Sequence, residues 1–391
     1  MKYLLTLLFG RLPIGWLQLV HSKTRFAAAI AGVAFAALLV FMQLGIMGAM
    51  NQSTMAPYSF FKADIMISPQ DSNMLSDGGN VARARLFQAL SVSGVADGAA
   101  LFIGRTDFTL EDGSTSSLQT FGIDTGKADF LSADIGNQIQ GLQAENTALI
   151  DIDTNGVPPE VFAGLAAGHP FSFEVFGKTL AAVGTLKLGG SFFTDGTIFI
   201  SDQTFLRIFP SRSSGAPNRI LITVEDGISA DVVAARLAAV LPAGSVKVQT
   251  IPETIAADRK YQNTVRPTGI IFGFGVLIGI IVGIVIVYQV LSTDVADHLS
   301  EYATFKAMGY SQSFFLGIVF EEALVLAVFG FIPGLIVSLG LYFGMSIATG
   351  LPIEMDLGRV VMVFSGTLAA CAISGAIATR RLAGADPADL F

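Results

Sequence analysis

The polar residues with the most informative spacing lie between positions 292 and 313, directly after the uncharged stretch Gly269–Leu291. Asp294 stands where a helix N-cap belongs and Gly309 where a C-cap belongs. Apolar residues recur between them at roughly helical spacing, which predicts a short helix with one polar face on a membrane surface. Acids beside apolar side chains are typical of a partner interface, so the chemistry is recognition rather than catalysis. The alternative is a solvated connector.

Two acids within an apolar stretch are the second feature of chemical interest. Glu321 and Glu322 lie about two turns into a predicted spanning helix, where charge is costly and usually functional. Snorkelling of both side chains to the nearby membrane surface is the alternative.

No catalytic constellation is evident. Gly177-Lys178-Thr179 ends like a phosphate-binding P-loop, but Ser172 stands where its first glycine belongs. The chain is therefore not expected to bind ATP through a P-loop of its own. The three histidines lie far apart and Cys371 is the single cysteine, so the sequence predicts no catalytic residue, metal site, bound cofactor or disulfide.

Composition predicts a membrane protein. Of 391 residues, 52% are hydrophobic and 14% are charged, and the mean hydropathy is +0.63. Four uncharged stretches are each long enough to cross a ~30 Å hydrocarbon core. They are Phe26–Met50, Gly269–Leu291, Ala323–Ile353 and Val360–Thr379. The predicted fold class is an α-helical membrane protein with four transmembrane helices and one large extracytoplasmic α+β domain.

The distribution of charge predicts the orientation. Residues 51–267 hold 22 acids and 15 bases, so about -7 of the net charge of -8 lies there, and no basic stripe suggests nucleic-acid binding. Bases precede the first span and follow the last, which by the positive-inside rule places both termini in the cytoplasm and residues 51–267 outside. These bases are Lys2, Arg11, Lys23, Arg25, Arg380 and Arg381.

The predicted outer domain combines two kinds of structure. Strand, helix and strand patterns before residue 111 and after residue 218 suggest the two halves of a ferredoxin-like layer. Between them, about 126–217, short strands predict an inserted β-rich lobe, with a hairpin turn at Gly177-Lys178. Phe192 and Phe193, placed at the tip of this lobe, are either a docking contact or part of the core.

The predicted organisation follows from these stretches. A cytoplasmic interfacial helix with Trp16 as a membrane-surface anchor comes first. The segments are the interfacial helix 1–25, span 26–50, outer domain 51–267, span 268–291, coupling helix 292–313, span 314–345, outer loop 346–358, span 359–379 and cytoplasmic tail 380–391.

Glycines in the second span are spaced for close helix packing. Gly275, Gly279 and Gly283 form a double G-x-x-x-G, which lets two helix backbones approach. A seam between two copies of the chain and packing against another span of the same chain are equally compatible with this pattern.

Together these features resemble a known family. One span, a large outer domain with an inserted lobe and then three spans are similar to the MacB/FtsX-type permeases of ABC systems. The run Tyr288-Gln289-Val290-Leu291, followed by Asp294 to Tyr310, looks most like the DevC-like branch of stand-alone permeases. The last residues of the sequence, with Asp386-Pro387-Ala388, also resemble the DevC-like branch.

The resemblance implies a function and partners. The chain would be a dimeric transport subunit rather than an enzyme, and a separate ABC ATPase would consume ATP and Mg²⁺. In the DevC-like branch the outer domain meets a periplasmic adaptor and an outer-membrane channel, and the permease transmits motion across the bacterial inner membrane. The residues expected to contact the ATPase are Asp294, Asp297, His298, Glu301, Tyr302, Phe305, Lys306, Met308 and Gly309.

Two functions remain open at this point. One is an exporter that expels lipids, peptides or other amphiphiles. The other is an FtsX-like transmitter that switches on an extracytoplasmic hydrolase and moves no substrate.

Overall fold

The computed structural model describes residues 14–109, 115–188 and 191–379. The chain divides into two compact units. The helical unit comprises Met1–Gly48, Pro267–Met345 and Ile353–Phe391, and the α/β unit comprises Ala49–Arg266 and Ser346–Pro352. Long apolar helices and a mixed sheet are both present, which confirms the predicted fold class.

Four of the described helices are long and apolar enough to cross a membrane. They are the first spanning helix Lys23–Met55, the second Pro267–Asp297, the third Gln312–Thr349 and the fourth Leu357–Ala378. A 33-residue helix is about 50 Å long, so it exceeds the ~30 Å hydrocarbon core. The spans predicted from uncharged stretches are therefore shorter than the helices that contain them.

Two short helices accompany the spanning helices. The N-terminal helix covers Ile14–His21, and the coupling helix, named for its predicted role, covers Leu299–Ala307. Residues 1–13 of the predicted interfacial segment and the tail 380–391 lie outside the described residues.

The prediction that a helix begins at an Asp294 N-cap and fills 292–313 is wrong. The second spanning helix continues through Asp294 to Asp297, and the coupling helix follows after His298. Ser292 and Val295 are buried, so the inward-facing side of the helix extends beyond the uncharged stretch. The helix therefore continues past Asp294, its first charged residue, because one of its faces still packs against the helical unit.

The end of the coupling helix agrees with the prediction. Gly309 follows it with a φ of +91°, and its N–H donates to the Lys306 carbonyl at 3.1 Å. The Tyr310 N–H donates to the Phe305 carbonyl at 3.2 Å, which completes a Schellman motif. Glycine adopts this left-handed conformation without steric cost.

The α/β unit contains nine described strands in one sheet. They are β1 Ile65–Pro69, β2 Val95–Thr109, β3 Thr115–Ile123, β4 Thr147–Asp151, β5 Phe171–Val175, β6 Lys178–Leu186, β7 Gly196–Ser201, β8 Arg219–Val224 and β9 Val246–Thr250. Its longer helices are Ala84–Leu90, Pro159–Ala166, Asp202–Ile208, Ala230–Val240 and Ile251–Thr264.

Four strands form the ferredoxin-like layer that the sequence predicts. Their order is β2-β8-β1-β9, and all three pairings are antiparallel. Alternating residues bury both faces of this layer. Ile65 and Ile67 pack in the same cluster as Leu86 and Leu237 from the helices, while Met66 joins the cluster on the other face.

The inserted lobe is larger than predicted. Strand β2 has 15 residues, and it pairs with β8 near its start and with β3 and β5 further along. The pairings run β2-β3-β7-β4-β6-β5 and return to β2, so six strands close a ring. The predicted lobe boundary at residue 126 is therefore too late, because β2 and β3 belong to the ring.

The hairpin between β5 and β6 turns one residue earlier than predicted. Phe176 and Gly177 have φ values of +48° and +71°, and Val175 pairs with Lys178. Positive φ at both loop residues is typical of a type I′ turn. The hairpin residues are therefore Phe176 and Gly177, not Gly177 and Lys178.

Candidate functional site

Both acids of the third spanning helix are fully buried. Glu321 and Glu322 each have 0% exposed surface, which rules out snorkelling of their side chains to solvent in this fold. The Trp16 backbone N–H donates to Glu321 Oε1 at 3.2 Å. The Glu322 carboxyl lies beside Asp294, but neither of its oxygens accepts a hydrogen bond from a described residue. Glu321 therefore joins the third spanning helix to the N-terminal helix, and Glu322 packs beside the second spanning helix.

Asp294 and Glu322 are two neighbouring acids without a hydrogen bond between them. Ionised carboxylates only accept hydrogen bonds, so such a bond would require a proton on one of the two side chains. Asp294 also lies beside His298, whose Nδ1 is 3.0 Å from the Asp294 carbonyl and 3.7 Å from Asp294 Oδ2. Asp294 is thus an internal link and does not cap a helix.

The N-terminal helix packs against the third spanning helix with almost no space between the backbones. A Cβ atom at Gly15 would lie 2.8 Å from the Ile318 carbonyl and 2.9 Å from Glu322 Cγ. The Trp16 ring lies 6.0 Å from Phe26 and 5.5 Å from Phe329. Trp16 therefore packs on protein side chains while staying half-buried, and its role as a membrane-surface anchor stays a prediction.

Tyr302 is a second internal link. It is 2% exposed, its ring packs edge-on against Phe315 at 5.6 Å, and its hydroxyl donates to Gln18 Oε1 at 3.3 Å. Burial raises the pKa of the Tyr302 hydroxyl, so it stays a neutral donor. Tyr302 thus fixes the coupling helix to the N-terminal helix and is not the exposed apolar contact that the sequence predicts.

Other predicted contact residues do lie on the surface. Glu301 and Gly309 are exposed, and Met308 has 60% exposed surface. Asp297 is exposed and ion-paired with Arg25. Phe305 and Lys306 are half-buried, with the Phe305 ring 5.6 Å from Tyr310 and 6.1 Å from Phe314. The outward surface of the site therefore carries charges of both signs around the exposed Met308 side chain.

The glycine motif of the second spanning helix faces the first spanning helix of the same chain. A Cβ at Gly279 would lie 2.9 Å from Val40 Cγ2, and a Cβ at Gly283 would lie 3.1 Å from Ala36 Cβ. A Cβ at Gly275 would overlap the Gln43 side chain. Packing within the chain thus accounts for all three glycines, and their part in a dimer stays a prediction.

Phe192 and Phe193 do not lie at a remote tip of the lobe. Phe192 is 37% exposed, and the Phe193 ring lies under Arg266, with 5.6 Å from the guanidinium carbon to the ring centroid. Arg266 is the last residue before the second spanning helix. Phe193 also lines a small cavity with Thr54 and Pro57, so it belongs to the part of the α/β unit where the chain meets the spanning helices.

Three residues of this site escape prediction from the sequence: Trp16, Gln18 and Arg25. Their partners lie hundreds of positions away, and the Trp16–Glu321 bond joins residues 305 positions apart. Two features of the sequence bear on these contacts: the apolar pattern of Ile14–His21 and the two acids of the third spanning helix. Neither feature indicates that the N-terminal helix packs against that spanning helix.

Comparison with known proteins identifies one part of the chain. Residues 273–387 match the FtsX-like permease C-terminal family, which covers most of the second spanning helix, the coupling helix and the third and fourth spanning helices. This match confirms the FtsX-type part of the predicted resemblance for this segment. No curated protein matches the chain.

Solved structures give weaker similarities. The extracellular domain of the noncanonic ABC-type transporter YknZ from Gram-positive bacteria is 11% identical, with 48% of this chain and 98% of that chain covered and a TM-score of 0.34. The periplasmic region of MacB from Actinobacillus actinomycetemcomitans is 10% identical, with 54% and 97% covered and a TM-score of 0.36.

Proposed function

We propose that this chain is the permease subunit of an ABC-type exporter, driven by a separate ATPase that binds ATP and Mg²⁺. The observation that carries this proposal is the division of the coupling helix into two faces. Glu301 and Met308 are exposed for a partner, whereas Tyr302 is buried against the rest of the helical unit. A partner that pushes on the exposed face therefore moves packed helices and not a loose loop.

Hydrogen bonds give this force a route into the bundle. Tyr302 leads through Gln18 to the N-terminal helix, whose Trp16 backbone N–H bonds to Glu321. This route ends on the third spanning helix, so the coupling helix and that helix are expected to move together.

Chain connectivity gives the route out of the membrane. Helix Ile251–Thr264 of the α/β unit is separated from the second spanning helix, which begins at Pro267, by Val265 and Arg266 alone. So short a connection transmits motion better than a flexible linker. This supports transmission of motion from the ATPase to the α/β unit.

The location follows from the bases at the two ends of the sequence. Both termini are cytoplasmic, the protein lies in a bacterial inner membrane and the α/β unit is periplasmic. The basic residues before the first spanning helix and after the fourth support this orientation. It places the coupling helix on the ATP-containing side.

The periplasmic partners are an adaptor protein and an outer-membrane channel, which together with a homodimer of this chain make a tripartite efflux system. Within the lobe, Phe176 is better placed for the adaptor than Phe192 or Phe193. It is 56% exposed at the end of a hairpin and holds a φ of +48°, which is costly for a residue other than glycine. An exposed aromatic side chain in such a position fits an interface anchor.

The test is co-purification of the full chain with the ATPase encoded beside it. We expect Glu301→Ala combined with Met308→Ala to weaken ATPase binding about thirtyfold, because each truncation removes on the order of 1 kcal/mol of contact. Glu354→Ala, which removes another exposed acid of the helical unit, is the matched control. Equal ATPase binding by the double variant and the control would reject the proposed coupling surface.

Turnover then separates the two candidate functions. Stimulation of ATP hydrolysis by the adaptor supports export. Activation of a cell-wall hydrolase with no effect of the adaptor supports an FtsX-like signal transmitter instead.

A further inference from the structure

A cavity of about 340 Å³ lies in the α/β unit beside strand β9 and helix Ile251–Thr264. Its charged lining residues are Arg219, Lys247, Lys260 and Asp258. Three bases and one acid reverse the balance of the surrounding region, where residues 51–267 hold 22 acids and 15 bases. Within an acidic domain, this cavity is therefore a local site of positive charge.

Arg219 is the central base, and its hydrogen bonds go to neutral oxygens. It is 1% exposed, and Nη1 donates to the Asn218 carbonyl at 2.7 Å. Nη2 donates to Ser72 Oγ and to the Met74 and Asp77 carbonyls at 2.6 to 2.7 Å. Asp71, Asp77 and Asp258 act on its charge from a distance, but among the described residues none of the three bases forms a direct ion pair. The bases of the cavity are therefore left without a carboxylate in contact.

Asp258 is the one acid that lines the cavity, and its carboxylate is bonded to the wall and not to the bases. Its Oδ2 already accepts from the Tyr58 hydroxyl at 2.5 Å and from the Leu75 N–H at 2.9 Å. Burial raises the pKa of Asp258 to about 6, so the nearby Arg219 charge does not outweigh the loss of solvent. The single acid is thus committed to the wall of the cavity.

The two lysines complete a site for an anion that accepts several hydrogen bonds. Lys247 is half-buried and held by a bond from Nζ to the Ser72 carbonyl at 2.6 Å, and Lys260 is exposed. A phosphate group has several acceptor oxygens and suits such a set of ammonium groups together with the hydroxyl and amide groups of Tyr261 and Gln249, which also line the cavity.

The chain segments that border the cavity indicate which kind of molecule carries the phosphate. Tyr58 follows Met55, the last residue of the first spanning helix, and Val265 precedes Pro267, the first residue of the second. At ~3.5 Å per residue, both lining residues lie within about 11 Å of the end of a spanning helix. Lipid headgroups occupy this level of a membrane.

We propose that this cavity binds the phosphate of a phospholipid headgroup in the leaflet on the side of the α/β unit. The proposal concerns binding by this chain alone and needs no ATPase, so it can fail or hold independently of the proposed transport function. It would give an exporter of amphiphiles a lipid contact outside its spanning helices.

The experiment titrates the full chain in detergent with short-chain dioctanoyl phosphatidylglycerol and follows its thermal stability. We expect saturable stabilisation of the natural sequence, and an apparent Kd at least about tenfold weaker for Lys247→Gln combined with Lys260→Gln, which removes two charge-assisted contacts. Lys187→Gln, an exposed lysine of the same unit, should bind as the natural sequence does. The paired Lys→Arg variants should retain binding, which separates loss of charge from misfolding.

Two further probes identify the source of the phosphate. Dioctanoylglycerol has the same tails without phosphate, and inorganic phosphate has no tails. Equal stabilisation by dioctanoylglycerol, or undiminished lipid binding by the Lys→Gln pair, overturns the site. Inorganic phosphate that binds as tightly as the lipid overturns the lipid assignment. Tighter binding of the phospholipid than of either probe supports the proposal.

Discussion

The two units use their buried ionisable groups differently. In the helical unit Glu321 and Glu322 are fully buried, where Glu321 accepts a bond from the N-terminal helix and Glu322 lies beside Asp294 of the second spanning helix. In the α/β unit the acids Asp151 and Asp258 are also buried, but the largest fully buried side chain is a base, Arg219, which bonds four neutral oxygens. One cluster joins whole helices, and the other fixes a loop to the edge of a strand.

This difference determines what each cluster can tolerate. A carboxyl group in the helical unit can be replaced by an amide that still donates or accepts one bond. Loss of the guanidinium leaves several oxygens without a donor. The α/β cluster should therefore be important mainly for stability, and the helical cluster mainly for the way the helices move together.

Replacement of Arg219 should have the largest effect on the free energy of unfolding, and it tests whether this cluster serves mainly stability. We expect Arg219→Met to lower the free energy of unfolding of the α/β unit by about 3 kcal/mol or more, because buried acceptors each cost about 1–3 kcal/mol when unpaired. Thermal unfolding of the full chain measures the effect. Arg259→Met changes an exposed arginine of the same unit and is the control. Similar stability of the two variants would contradict the structural role of Arg219.

Asp258 should make the stability of the α/β unit depend on pH. Its pKa is raised from 3.8 to about 6, so the folded state binds this proton more tightly than the unfolded state. Stability contributed by the protonated form is present below pH 4 and is lost as pH rises to about 6, by roughly 3 kcal/mol at most. Asp258→Asn should remove this component from a series of unfolding curves. Parallel pH profiles for the two proteins would show that Asp258 has no such effect.

Gly15 tests the close packing in the helical unit. Alanine normally stabilises a helix by about 1 kcal/mol relative to glycine, but at Gly15 its Cβ meets the Ile318 backbone, which cannot move aside cheaply. We expect Gly15→Ala to lower the thermal midpoint by a few degrees. Gly340→Ala, where nothing lies within 4 Å of the added Cβ, should leave it unchanged or raise it. A gain in stability at both positions would argue against this helix contact.

Glu322→Gln should show the smallest effect on stability. The amide has the shape of the carboxyl and can donate to the neighbouring Asp294, so we expect a change within about 1 kcal/mol. Glu322→Ala removes the contact and leaves a cavity, which should cost about 2 kcal/mol. Comparison of the two thermal midpoints distinguishes a required bond from a required charge. Equal losses would mean that charge, which both variants remove, is what Glu322 provides.

Local signals predicted much of the architecture. The uncharged stretches located all four spanning helices, and the alternating segments before residue 111 and after residue 218 located the ferredoxin-like strands. Gly309 correctly marked the end of the coupling helix. These features depend on residues within a few positions of one another, and their physical causes act at that range.

The candidate site was predicted less well for the same reason. The helical pattern contained Tyr302 and Asp294 but could not show that both point inward, toward Gln18 and Glu322. Periodicity gives the apolar face of a helix, but it does not tell which neighbour covers that face or which polar side chains are enclosed with it.

The sequence by itself determined three features of the described residues: four helices long and apolar enough to cross a membrane, a divided ferredoxin-like layer and a polar connecting segment. Hydropathy and the period of apolar residues depend on neighbouring positions, so the sequence is enough to reveal them. Only the tertiary structure decided three other features: which helix fills the space beside Gly279, that Arg219 is buried beside a cavity, and that β2 belongs to two sheet regions at once. Each depends on contacts between distant positions, and such contacts form when packing and hydrogen-bond satisfaction are met across the whole unit.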